Sequence, residues 1–237
     1  MNRCFKKGSV ALLAAMLILS LWAGERGKTM QIGEISWHTE QNNFAEMKKI
    51  AQKADKPILM VFSATWCGPC QDVKKEVFAK KDFKQVADQV VLLYVEETDP
   101  KSKEYIEEND ISAFPTFKIF SKDGIFLDDG FPERTVPGFS KWVNDVKAGD
   151  NLHDLSKKIQ KDPDNRALIL KVVKKLKGER MGKRLTLLRK IVKQNPDFND
   201  PLTQEANEKI AALIRYTLHM IREAEAKKDY ATQHNEA

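Results

Sequence analysis

Two cysteines with two residues between them, Cys67 and Cys70, follow closely on the apolar run Ile58-Leu59-Met60-Val61-Phe62, and this junction constrains the chain more than any other feature. Five consecutive apolar residues bounded by Lys56-Pro57 read as a short strand buried on both faces. A helix opens at Trp66-Cys67-Gly68-Pro69-Cys70, with Val73, Val77 and Phe78 as its apolar side. The first thiol therefore lies beside unpaired backbone N–H groups and the positive end of a helix dipole, both of which favour thiolate. Two intervening residues let the sulfurs meet across one helical turn. Pro69 suits an early helical position, where its missing N–H has no partner in any case.

The surrounding pattern alternates. Phe44, Met47, Ile50, Ala51 and Ala54 recur at helical spacing before the buried run, and residues 90–95 read as a second central strand. Tyr105 and Ile106 mark the helix after it. Phe117-Lys118-Ile119-Phe120 and Ile125-Phe126-Leu127 flank Lys122-Asp123-Gly124, a hairpin signal, and Phe139, Trp142, Val143 and Val146 form a closing helix. The order helix, strand, helix, strand, helix, strand, strand, helix predicts an α/β fold with parallel crossovers first and an antiparallel hairpin last.

With these elements in place, the five residues from Trp66 to Cys70 resemble the thioredoxin family, which carries them in the same strand-to-helix setting. Ala113-Phe114-Pro115-Thr116-Phe117 is similar to the family's cis-proline loop facing the active site. Lys56-Pro57-Ile58-Leu59 and Glu76-Val77-Phe78 further resemble the thioredoxin-like end domain of membrane thiol:disulfide interchange reductases. The resemblance covers residues 35–148, about half the chain. It implies a thioredoxin-like fold, a central mixed sheet flanked by helices, in residues 24–149. It also implies a catalytic, redox-active disulfide between Cys67 and Cys70, and a substrate-binding surface made by Trp66, Gly68, Pro69, Phe114, Pro115 and Thr116.

Other readings of the cysteine pair are weaker on chemical grounds. A zinc site needs two more ligands, and beyond this pair the sequence offers only Cys4 near its start and the dispersed His38, His153, His219 and His234. A purely structural disulfide closes too small a loop to stabilise much. Pro115 as an ordinary loop proline and Trp66 as core packing are the plain alternatives for those two residues. One departure bears on mechanism. Thioredoxins commonly bury an acid on the strand before the motif, partnered by a lysine on the neighbouring strand, and alignment of the strands puts Val61 and Leu92 there. Losing both together avoids a lone buried charge, but leaves proton transfer at Cys70 to water or to another acid, for which Glu76 and Glu96 are the candidates.

The ends of the chain carry different information. Arg3, Lys6 and Lys7 precede an apolar stretch at residues 10–22 that ends in Ala23-Gly24, the layout of a signal peptide or N-terminal anchor over residues 1–23. Cys4 falls inside it. The stretch is short for a permanent span. An exported, periplasmic or otherwise extracytoplasmic location follows as the expectation. Without those residues the charge is nearly balanced, 37 basic against 34 acidic, but residues 24–149 hold 18 and 21 while residues 150–237 hold 19 and 13. That change of sign places a boundary near Gly149.

Residues 150–237 show no strand pattern and predict an all-α extension of four helices, around Leu152, Leu168, Leu185 and Ile210. Asp162-Pro163 and Asn195-Pro196 lie 33 residues apart, similar to the tetratricopeptide period, although the signature aromatics are missing. Residues 157–193 carry 14 basic and 3 acidic side chains. This is either a solvated helix surface or a contact for an anionic membrane or an acidic protein; no aromatics interleave for base stacking, so nucleic acid is not expected. The whole sequence predicts an extracytoplasmic thiol–disulfide oxidoreductase that needs no dissociable cofactor. It would reduce protein disulfide clients and take electrons from a membrane donor of the thiol:disulfide interchange type. The rival is a client-binding scaffold whose helical tail docks the client and whose thiols stay idle.

Overall fold

The computed structural model describes residues 28–130, 132–176 and 181–235. Residues 1–23, on which the export reading and Cys4 fall, lie outside them. The chain divides into two compact units that meet between Ala148 and Gly149.

The first unit is a six-stranded mixed sheet in the order β1-β2-β4-β3-β5-β6. It comprises β1 (Thr29–Ile32), β2 (Ile35–Thr39), α1 (Phe44–Ala54), β3 (Ile58–Ser63), α2 (Gly68–Val73), α3 (Lys84–Ala87), β4 (Val91–Glu96), α4 (Ser102–Glu108), β5 (Thr116–Phe120), β6 (Phe126–Gly130) and α5 (Val136–Lys147). α2 runs on into a π-helical turn, Lys74–Phe78. Strands β2, β4 and β3 are parallel, and β5 and β6 return antiparallel beside β3. The expected order is present, with two additions, the short helix α3 before β4 and a pair of strands at the start. An N-terminal hairpin, β1–β2, lengthens the sheet on the β4 side. Its turn uses Gly33 at φ +60°, where a Cβ would come 2.6 Å from the Ala79 carbonyl oxygen, so only glycine fits.

All six residues of β3 are buried. Alternate residues feed two cores, one on each face of the sheet. Leu59 and Val61 join Leu92, Tyr94, Phe117, Phe78, Phe83, Phe139 and Trp37 on one side. Ile58, Met60 and Phe62 meet Met47, Ala51, Leu93, Val95 and Tyr105 on the other. The first core is dominated by rings packed edge to face, including Phe117 on Phe139 at 5.1 Å and Phe78 on Phe139 at 5.3 Å. α1 starts at a capping box, in which the Asn43 side chain accepts from the Glu46 N–H while the Glu46 carboxylate accepts from the Asn43 N–H. Two saturated faces hold β3 rigid, and its C-terminal end is where Cys67 emerges.

The second unit is four helices, α6 (Leu152–Lys161), α7 (Arg166–Lys175), α8 (Met181–Gln194) and α9 (Pro201–Asn235). Asn151 and Asn165 cap the first two. Ile169, Leu170, Val173, Leu188, Ile191, Ala206 and Leu213 form its core. Many of its cations have partners inside the unit: Arg166 on Asp200, Lys171 and Lys175 on Asp150, Lys174 on Glu205, and Lys190 on Asp164. The Arg166 guanidinium forks onto both Asp200 oxygens and reaches Thr203 Oγ1, while Asp200 also caps α9 by accepting from the Thr203 N–H. These bonds hold the Asp200 carboxyl down to about 2.

Candidate redox site at the end of β3

The chain leaves β3 at Ser63 and turns at once, the Cys67 N–H donating to the Ala64 carbonyl at 3.1 Å. Cys67 is the N-cap of α2, in extended conformation, and its Sγ accepts from the Cys70 N–H at 3.2 Å. A thiol sulfur thus takes the position that a serine or aspartate oxygen usually fills at a helix start. The two sulfurs are bonded at 2.04 Å. Gln71 Nε2 donates to the Ala64 carbonyl at 3.1 Å, fastening the helix back onto the strand end. Both cysteines are buried, Cys67 5% and Cys70 3% exposed, so exposure does not separate them in the disulfide form; the helix start does.

The other expected residues gather around this pair from distant parts of the sequence. The register of β3 on β5, Phe62 opposite Thr116, carries the preceding loop to the cysteines. Phe114 packs on the cluster of Ala64, Cys67 and Cys70, and the Phe114-Pro115 peptide is cis. Thr116 Oγ1 donates to the Ala113 carbonyl. Trp66 is 69% exposed and stands edge-on to Phe114 at 5.8 Å, so the core-packing alternative fails for it. A Cβ on Gly68 would meet nothing within 4 Å, which leaves the space above the dithiol open. Pro69 occupies an early helical position, as expected.

Val61 and Leu92 are both buried in the same core. Val61 is opposite Tyr94, and Leu92 opposite Leu59, so the two point to one face of adjacent strands. Of the two candidate acids, Glu76 is exposed and tied to Lys75 and Lys80, which lower its pKa through hydrogen bonding and charge. Glu96 ends β4 opposite Ser63.

Three polar features escaped the sequence reading. The Tyr94 hydroxyl donates to Ser63 Oγ at 2.6 Å inside the core, and burial raises the Tyr94 pKa. Glu40 is 9% exposed and accepts from the Glu96 N–H at 3.1 Å; burial raises its pKa, and the charges of Asp99 and Glu96 add to the rise. Trp66 Nε1 donates to Glu97 Oε2 at 3.1 Å, holding the indole at the mouth of the site. Nothing in a single sequence marks these pairs, because each joins strands or loops 31 or more residues apart.

A mixed sheet with helices on both faces and a dithiol at the strand-to-helix junction defines a domain built for thiol–disulfide exchange. A family model described as a thioredoxin-like domain matches residues 44–145. Thioredoxin from Coprinus comatus is 38% identical over 88 residues, 37% of this chain and 78% of that protein. Thioredoxin-related protein DsbJ of Chlamydia pneumoniae is 30% identical over 156 residues, 65% of this chain and 43% of that protein. Thiol:disulfide interchange protein DsbD of Klebsiella pneumoniae is 28% identical over 137 residues, 55% of this chain and 22% of that protein. The chain belongs to the thioredoxin family, whose members are thiol–disulfide oxidoreductases. It spans less than half the length of the latter two relatives. Among the described residues no helix is long and apolar enough to cross a membrane.

Proposed function

We propose that this chain is an extracytoplasmic oxidoreductase that reduces disulfides in protein clients, with Cys67 as nucleophile and Cys70 as resolving thiol. The observation that carries the reading is Cys67 Sγ at the N-cap of α2, where it accepts from the Cys70 N–H. In the reduced protein that N–H and the helix start stabilise a thiolate on Cys67 in preference to Cys70. The Cys67 thiolate attacks one sulfur of the client disulfide; an S–S bond forms to Cys67 as the client's own bond breaks, and the departing client sulfur takes up a proton. Cys70, deprotonated, then attacks Cys67 Sγ and expels the second client thiol. Two electrons have passed to the client, and the Cys67–Cys70 disulfide is left for re-reduction by a membrane donor of the thiol:disulfide interchange class.

Trp66, Phe114, Pro115 and Thr116 line the approach, and Gly68 with Pro69 leaves it unobstructed. The export layout of residues 1–23 supports the location, and the kinship to DsbJ and DsbD supports both the client class and the donor. The exposed Lys157, Lys158, Lys161, Lys183, Arg189 and Lys193 of the helical unit offer a client or an anionic surface a basic contact.

Substituting Cys70→Ser tests the assignment. That variant should accumulate mixed disulfides with clients, whereas Cys67→Ser should form none. In the reduced wild type Cys67 should alkylate first, with an apparent pKa below the free-thiol value of about 8.5. Faster alkylation of Cys70, or adducts only with Cys67→Ser, would reverse the roles.

A further inference from the structure

Two hydroxyls bonded to each other inside an apolar core have no part in the exchange described so far. Tyr94 donates to Ser63 Oγ at 2.6 Å, and the two residues are 2% and 1% exposed. Phenylalanine and alanine would fill the same space without the cost of burying polar atoms. Val61 and Leu92 lie two residues earlier on the same strands, so Ser63 and Tyr94 share their face, about 7 Å nearer the strand ends from which the cysteines emerge. Two contacts tie the pair to the dithiol. Ser63 is joined to Ala64, which packs with Cys67, Cys70 and Phe114 in a cluster separate from the core that holds Tyr94. Lys74, four residues beyond Cys70 and so on the same flank of its helix, holds its ammonium 5.3 Å from the centre of the Tyr94 ring. The ring therefore lies under the flank of α2 that carries Cys70. Because Ser63 Oγ accepts from Tyr94, its own proton is left to donate, and among the described residues it meets no acceptor while the two sulfurs are bonded to each other.

We propose that this pair stabilises the Cys70 thiolate in the resolving step, the Ser63 hydroxyl donating to Cys70 Sγ once the disulfide is open and Tyr94 holding that hydroxyl in place. The proposal rests on Cys70 being the resolving thiol. Cys70 is 3% exposed, and a thiol in apolar surroundings keeps its proton above the free value of about 8.5, so resolution near neutral pH needs a donor to the anion. Cys70 gives its proton to water and its sulfur attacks Cys67 Sγ. The client sulfur leaves with the electron pair of the broken bond and is protonated by water, while neither hydroxyl gains or loses a proton. Facing the pair and the dithiol are Lys74 from α2, which favours a thiolate, and Glu96, Glu97 and Glu40 at the ends of β4 and β2, which oppose it. A neutral donor helps the thiolate without setting a second charge in the core.

In the reduced full chain, single-turnover reaction with a small synthetic disulfide at a series of pH values reads the resolving step, and alkylation over the same range reads Cys67. Tyr94→Phe, which keeps the ring, should slow resolution about tenfold at pH 7 and move its profile to higher pH, with the Cys67 profile in place. Ser63→Ala should do the same, and the double variant should be no slower than either single one, since both act through one hydrogen bond. Tyr105→Phe is the control. Its buried hydroxyl donates to the Asn42 carbonyl at 2.6 Å on the other face of the sheet, so its loss should lower stability and move neither profile. Resolution unchanged in Tyr94→Phe and Ser63→Ala overturns the proposal. Slowing shared by Tyr105→Phe, or displacement of both cysteine profiles together, overturns it equally, because a loosened fold is then the cause. Alkylation of Cys70 ahead of Cys67 in the wild type is a separate failure, that of the roles on which the proposal rests.

Discussion

Replacing Val61 by aspartate puts a carboxylate where the family commonly keeps one, but in a site that has lost its cationic partner. Val61 is 1% exposed and lies among Leu59, Leu92, Tyr94 and Phe117. Removing the valine forfeits about 2 kcal/mol of apolar burial at any pH. The carboxyl cannot be solvated there, and the nearby hydroxyls of Tyr94 and Ser63 already bond each other. Its folded pKa must therefore rise above the unfolded value of about 3.9. The raised pKa makes the protonated form the one the fold tolerates. The added cost is absent below about pH 4 and grows by roughly 1.4 kcal/mol for each unit of pH up to the folded pKa. A rise of about two units brings the total loss to ~5 kcal/mol at pH 8 against ~2 at pH 4. Urea denaturation of wild type, Val61→Asp and Val61→Asn at both pH values separates the terms, because the asparagine variant should lose stability without the pH dependence. The aspartate variant, and not the asparagine one, should also add a titration to the rate of reduction of a small synthetic disulfide. Equal stability of Val61→Asp and wild type at pH 8 would mean the side chain at this position reaches water, and the strand alignment that places it beneath the dithiol would be wrong.

Two further outcomes follow from carboxylates displaced in opposite directions. Glu40 titrates above its ordinary value because it is buried, so its favourable contribution belongs to the protonated form and is lost as pH rises through the folded pKa. Glu40→Gln, which can still accept from the Glu96 N–H, should melt higher than wild type at pH 7 and equally at pH 4; an unchanged difference across that range counts against a buried carboxylate. Asp200 titrates near 2, below its ordinary 3.8, so the stabilisation from Arg166 and Thr203 is complete well above pH 4 and is lost as pH falls through 2. Asp200→Asn should lower the thermal midpoint of the helical unit at pH 7 and lower it much less at pH 2, as followed by far-UV circular dichroism.

The sequence alone determined the elements whose information is local. The apolar run of β3, the helix start at Cys67, the β5–β6 hairpin around Gly124 and the four helices after Gly149 each depend on neighbours within a turn or a strand. The dithiol and its proline loop were legible for the same reason, since each is a contiguous motif. The β1–β2 hairpin was not, because Thr29–Ile32 is short, half polar and gains its burial only by pairing with a strand that itself lies against β4. The Tyr94–Ser63 bond, the burial of Glu40 and the Glu97 grip on Trp66 belong wholly to tertiary structure: a tyrosine in a strand or a glutamate in a turn looks ordinary until the sheet order sets its neighbour. Pairing in the second unit was hidden in the same way. Charge counting left residues 157–193 as a basic face, whereas folding brings Asp150, Asp164, Asp200 and Glu205 onto five of its cations. Periodicity reports which side of an element turns inward; which partner it meets there is decided by long-range packing, where distance in space is independent of distance along the chain.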